Sequence, residues 1–191
     1  MTTFMDLVRQ LRSPSNNNVL QAVESLRARG WLEDGSLHGL PFCHANLQGA
    51  DLFKADLTAT DLHQAHMNAA DLSLAILVGT RLTRTDLRGA NFNQAILDQT
   101  DLFKANMRDV RNLTPLQLSK AKRLWGAIMP DGRTYDGRYR LAGDFALARS
   151  GGIETDNDRA MAEFFGVELT EYLTGQDVGA QFEPQETAWS G

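Results

Sequence analysis

The chain's one thiol and all four of its imidazoles fall between residues 38 and 66, as His38, Cys43, His44, His63 and His66. Thiolates and neutral imidazoles are the donors that zinc and copper favour. No chelate spacing is enforced here, and a lone cysteine can build neither a zinc ribbon nor an intramolecular disulfide. Hydrolytic chemistry fares no better. Gly-Ser-Leu-His-Gly at 35–39 lacks the order of a nucleophile elbow, and the chain has no HExxH pair, no Ser/His/Asp spacing and no phosphate-cradling glycine loop. The residues predict no enzyme, no catalytic residue, no metal and no cofactor.

Composition narrows the class further. The 191 residues are 42% hydrophobic and 23% charged, enough to bury a sizeable core in one unit or two small ones. Lys and Arg total 19 against 24 Asp and Glu, so a binder that neutralises nucleic-acid phosphates is not expected. The start Met-Thr-Thr-Phe-Met-Asp-Leu-Val-Arg-Gln has no long apolar signal region, and nowhere do 18 apolar residues run together. With a single cysteine, a soluble protein of the reducing cytoplasm is the expectation, with no membrane association.

What positions these side chains is a repeat. From Gly35 to Asp109 a large apolar residue recurs every fifth position, as Leu37, Phe42, Leu47, Leu52, Leu57, Leu62, Met67 and onward to Leu102 and Met107. Two residues before each stands a small one, Ala, Thr or Gly, with Leu40 the exception. On a helix a step of five advances each leucine by roughly 140° and smears it round the cylinder. In a flat strand an odd step sends successive leucines to opposite faces. The chain can keep every leucine inward only by bending in each pentapeptide, which makes a coil wound round its own core. Nine of the fifteen residues just before the centres are Asp or Asn, types that brace turns through local hydrogen bonds.

Segments such as Asn-Leu-Gln-Gly-Ala-Asp-Leu-Phe-Lys-Ala-Asp-Leu (46–57) and Thr-Asp-Leu-Arg-Gly-Ala-Asn-Phe (85–92) resemble the pentapeptide repeat proteins, a mostly bacterial family with the motif Ala-Asp/Asn-Leu-X-X. The resemblance implies an all-β solenoid, a right-handed quadrilateral β-helix with four pentapeptides per coil. Fifteen repeats then make nearly four coils. Pro41, His66, Ile76, Arg81 and Ile96 depart from the Asp/Asn bracing position.

A twenty-residue coil makes vertical neighbours of residues twenty apart, at about 4.8 Å. Cys43 then lies over His63, with His44 and His66 at the same corner. Ile76 and Ile96 put branched apolar side chains in one outward column with Val78 beside them, and such a patch needs a cover. Ile76, Val78 and Ile96 are therefore the candidate interaction patch, to be covered by the chain's own termini or by another molecule. Phe53 and Phe103, from identical Asp-Leu-Phe-Lys-Ala pentapeptides, fall on opposite faces and form no common stacking platform.

The ends of a coil stack need caps. Residues 1–34 read as an N-terminal helical cap: an apolar pattern over 3–12, then Ser15 as N-cap, helical spacing over 18–29, Gly30 at C′, and Trp31 and Leu32 as a lid. Residues 35–109 form the repeat. Residues 110–125 read as a C-terminal capping helix opened by the capping box Thr114-Pro115-Leu116-Gln117 and running to about Leu124. Residues 126–175 form a small helical appendage, in which 160–175 resembles the last two helices of a repressor-type helix-turn-helix domain without its recognition helix. Residues 176–191 are expected to be mobile.

These observations predict a non-enzymatic interaction or scaffold module, its partner an unidentified protein or a second copy of the chain in a homodimer. The alternative is a DNA-mimicking modulator of a type II topoisomerase, as some long members of the resembled family are. Residues 35–109 hold eight acids and six bases, and four coils make a rod of only ~20 Å, which is short and weakly charged for that task.

Overall fold

A computed structural model describes residues 2–182. Its centre is a solenoid in which parallel bridges join residues twenty apart, among them Asn46 to His66, Asp51 to Asp71, Ile76 to Ile96 and Arg81 to Asp101. Four pentapeptides therefore complete a turn. Each side contributes a single bridged residue, and no extended strand occurs among the described residues.

The local chemistry of one pentapeptide explains the coil. In Asp51–Ala55, the N–H of Leu52 donates to Asp71 O at 2.8 Å and that of Lys54 to Ser73 O at 2.9 Å, so both reach the next coil. Ala55 N then closes a turn onto Leu52 O at 3.0 Å. The bend sits two residues after the centre, where Lys54 has φ +57°, and non-glycine residues such as Ala59, Gln64 and Arg84 take the same left-handed conformation. An isolated left-handed L-residue costs roughly 1–2 kcal/mol, which the inter-coil bonds and core offset. The bracing carboxylates act as expected: Asp51, Asp61, Asp71 and Asp101 each accept the N–H two residues on, at 3.0 to 3.1 Å. Inward, Leu62, Met67, Leu72, Leu77 and Leu82 are buried together with the alanines beside them.

The N-terminal cap comprises α1 (Phe4–Gln10) and α2 (Asn16–Ala28). Ser15 holds the N-cap position of α2 without a side-chain bond, and Gly30 follows the helix at φ +75°. Leu7, Val19, Val23, Leu26 and Leu32 close the first coil, and Asn16 Nδ2 and Arg27 donate to the carbonyls of Asn46 and Asp51.

The other end corrects the expectation. The predicted helix through Leu124 is one turn, α3 (Pro115–Leu118), and the chain then returns to the solenoid. Asp101 bridges Arg123 and Asn106 bridges Ile128, both at an offset of 22 instead of 20. α3 is the excursion that absorbs the two extra residues, so the coils continue past Asp109 to residues 123–128. The Thr114 capping box forms as predicted, and the same Gln117 sends Nε2 to the carbonyls of Phe92 and Ala95 at 3.0 and 2.8 Å, sealing part of the open edge.

Beyond a tight reversal at 129–133, where Ile128 pairs antiparallel with Thr134, the appendage holds α4 (Ala142–Ser150), α5 (Asp158–Phe165) and α6 (Leu169–Gly179). Gly166, at φ +71°, turns α5 toward α6. Of the stretch expected to be mobile, 176–182 continues α6 and a 3-10 turn (Ala180–Phe182), and 183–191 lies outside the described residues. No described helix is long and apolar enough to cross a membrane.

Candidate interaction surface

The isoleucine column is where the coil register brings it. Ile76 bridges Asp56 below and Ile96 above, with Ile96 N donating to Ala75 O and Leu77 N to Ile96 O, each at 2.9 Å. Ile76 and Val78 are half-buried, whereas Ile96 keeps 44% of its surface. No further bridge is made above Ile96, because the chain that would have supplied it is diverted into α3. The diversion leaves Ile96 at the upper end of its column.

The Cys43 corner is divided by the structure. Cys43 pairs with the Asp61 carboxylate, and burial ahead of that bond pushes its thiol up from the ordinary range. The His63 ring nitrogen Nδ1 is spent on Thr83 Oγ1 at 2.6 Å, and the His44 ring meets His63 edge-on at 6.0 Å. His66 belongs to the next face, bridging Asp86, and His38 reaches Asp56 at 2.7 Å on another. The geometry brings Cys43, His44 and His63 together and separates His66 from them. Among the described residues, no three His, Cys, Asp or Glu side chains are arranged to hold an ion.

The two phenylalanines also diverge. Phe53 remains 36% exposed beside Lys54. Phe103 is stacked at 5.4 Å on Trp125, which packs on Phe164 of α5 and donates its indole N–H to Phe164 O at 2.9 Å. Identical pentapeptides acquire different roles because Trp125 follows 22 residues after Phe103, an offset that the five-residue rule does not contain.

A charge pattern escaped the whole-chain reading. Residues 81–140 carry twelve Lys and Arg against six Asp and Glu, a net of +6, whereas 141–191 carry two against ten, a net of −8. Some of the basic residues are paired within the coils: Arg81 with Asp61, Arg88 with Asp86 and Arg123 with Asp101. Asp86 shows the effect, since the Arg88 bonds, opposed by burial, hold its carboxyl below the usual range.

Residues 37–73 and 80–111 match the sequence profile of the pentapeptide repeats, in eight copies. No curated protein sequence matches the chain. Similar solved structures include HetL, a pentapeptide repeat protein involved in heterocyst differentiation regulation from the cyanobacterium Nostoc sp. strain PCC 7120. It is 37% identical over 49% of this chain and 42% of its own, with a TM-score of 0.45. Rfr23, a pentapeptide repeat protein from the cyanobacterium Cyanothece 51142, is 28% identical over 49% of this chain and 57% of its own, TM-score 0.36. A third, from the thylakoid lumen of Arabidopsis thaliana, is 26% identical over 49% and 60%, TM-score 0.27. The match thus spans less than two thirds of each of these chains.

Proposed function

Because the chain belongs to the pentapeptide repeat proteins through its central coils, we propose that it is a non-enzymatic protein-interaction or scaffold module, with Ile76, Val78 and Ile96 as its docking patch. The observation that carries this reading is Ile96, a branched apolar side chain left 44% exposed in the column where the repeat elsewhere places Asp or Asn. Fully burying such a side chain is worth roughly 1.5–3 kcal/mol, and a partner surface would recover the part that Ile96 leaves in water.

The filled interior supports a non-enzymatic role, since Leu72, Leu77, Leu82 and Leu87 leave no accessible surface in the middle coils. Right-handed coiling is the family's habit and is part of the proposal. The DNA-mimic alternative finds less support: the upper coils belong to a stretch of net +6, opposite in sign to a duplex.

The test is a double variant, Ile76→Asp with Ile96→Asp. Unchanged melting with loss of a protein captured by the wild type, or loss of dimerisation, supports the patch. Reduced folding stability instead assigns the column to an internal contact. Normal melting with every partner retained removes the patch from the binding surface.

A further inference from the structure

Three cations at two successive corners of the coils, Arg84 and Lys104 at one and Arg108 at the next, have no counter-charge among the described residues. Arg84 and Lys104 occupy the same left-handed bend position in successive coils, placed by the bond from Arg84 N to Phe103 O at 2.8 Å. Arg108 stands on the adjoining face directly above Arg88, through the bond from Gly89 N to Arg108 O at 3.1 Å. All four side chains are exposed.

Arg88 is tied to Asp86 at 2.6 Å, so the carboxylate inside this group is already neutralised. Arg84, Lys104 and Arg108 make no ion pair with any described residue. Lys104 is held at its corner with its ammonium 4.9 Å from the Trp125 ring. Gln64 and Asn68 add amide side chains one coil below Arg84 and Arg88 in the same columns, and Asn106 stands on the face between the two corners.

Resting on the interaction-module reading, we propose that the coil face flanked by Arg84 and Lys104 at one corner and by Arg108 at the next docks an acidic segment of a partner protein. Carboxylates on successive helical turns, or on alternate residues of a strand, lie about 6 Å apart. Two long side chains rooted one coil apart can meet such a pair. The exposed carboxylates of the appendage, including Glu163, Glu168 and Glu171, form no ion pair with the three cations in the same chain. A long, uniformly charged polynucleotide suits this face less well. Phe103 and Trp125 stack on each other instead of offering a free face to bases.

The probe is a fluorescein-labelled ten-residue peptide of alternating Glu and Asp, titrated with the full chain and read by fluorescence anisotropy. Saturable binding at 50 mM salt is expected, weakened at least tenfold at 500 mM, where screening is several times shorter-ranged. Arg84→Glu with Arg108→Glu should weaken it at least tenfold while the thermal melt is unchanged. Should that pair fold poorly, Lys104→Gln with Arg108→Gln must lower affinity by at least threefold. No saturation, or equal binding by these variants, overturns the proposal. So does tighter binding of a twenty-nucleotide oligo-dT, which would make the face a nucleic-acid site. Salt-sensitive self-association in sedimentation velocity, abolished by the same substitutions, would make the appendage of a second copy the occupant and overturn it too. The Ile76→Asp, Ile96→Asp variant should bind the peptide normally, so failure of the isoleucine patch and failure of this face are read separately.

Discussion

Both carboxylate oxygens of Asp144, on α4, accept the backbone N–H of Leu124 at 3.1 Å, and Oδ1 also takes that of Trp125 at 2.8 Å. In every lower coil such an N–H donates to a carbonyl of the next coil, as Leu102 N does to Arg123 O. A side chain thus supplies the acceptor that the missing coil would have provided, which pairs this part of the last coil's edge. The appendage is a cap as well as an addition.

Asp144 is fully buried, and burial, opposed by the two backbone N–H groups and by Arg123, raises its pKa from 3.8 to about 7. The folded state then binds the proton more tightly than the unfolded chain. This contribution to stability is complete below about pH 4 and is lost as pH rises to about 7. Melting temperature should fall between pH 5 and 7.5, and Asp144→Asn should flatten that slope. A variant with the wild-type slope would remove Asp144 as its origin. Below pH 4 the sign reverses for Asp71, whose carboxyl is held low because hydrogen bonds led by Ser73 outweigh its burial.

Replacing buried Leu72 by Asp should unfold the solenoid, since an unpaired buried carboxylate adds several kcal/mol to the lost burial. Exposed Asn93→Asp should change stability by less than about 0.5 kcal/mol. Chemical denaturation of both variants checks the difference, and equal midpoints would contradict the inward and outward assignment.

Thr85 sits where the repeat usually has Ala, with its hydroxyl donating to Leu62 O in the coil below at 2.8 Å. Thr80 and Thr100 do the same to Leu57 O and Leu77 O at 2.7 Å. Thr85→Val keeps the shape and loses the bond, so it should cost about 1 kcal/mol. An unchanged denaturation midpoint would show that the hydroxyl adds nothing to the turn bond that Leu62 O already accepts from Ala65 N.

A Cβ on Gly179 would overlap the carbonyl oxygen of Arg138, and one on Gly175 would stand 2.8 Å from Asp136 Oδ2. Gly179→Ala should therefore lift α6 from the 136–139 loop and make α6 the first site of limited proteolysis. Cleavage no faster than in wild type would show that the contact yields without displacing the helix.

Much of this architecture is written in side-chain types at a fixed step. The inward leucines, the alanines two before them and the Asp or Asn braces specify coil, register and the Ile76–Ile96 column, because each pentapeptide makes its bend with its own residues. The Thr114 capping box and the position of Ser15 were legible for the same local reason, although Ser15 makes no side-chain cap bond. The extent of the C-terminal helix was not. Arg123 and Ile128 have no Asp or Asn character, and only a lower coil offering unpaired edge groups draws them back into register.

The same division separates the two proposed surfaces. The isoleucine column follows from a step of twenty, which the family resemblance implied and the bridges show. The face flanked by Arg84, Lys104 and Arg108 required knowing which of the basic residues are spent, and that depends on contacts such as Arg123 with Asp101 across a 22-residue offset. Sequence by itself determined a coil with a leucine interior, since no helix or flat strand can bury a period of five, and the family resemblance added four pentapeptides per turn. Only tertiary structure decided how the coil ends, with Asp144 above Leu124 and Trp125 between Phe103 and Phe164. Those contacts join residues 19 to 39 positions apart, whose pairing is set by packing of the finished stack and not by any local preference.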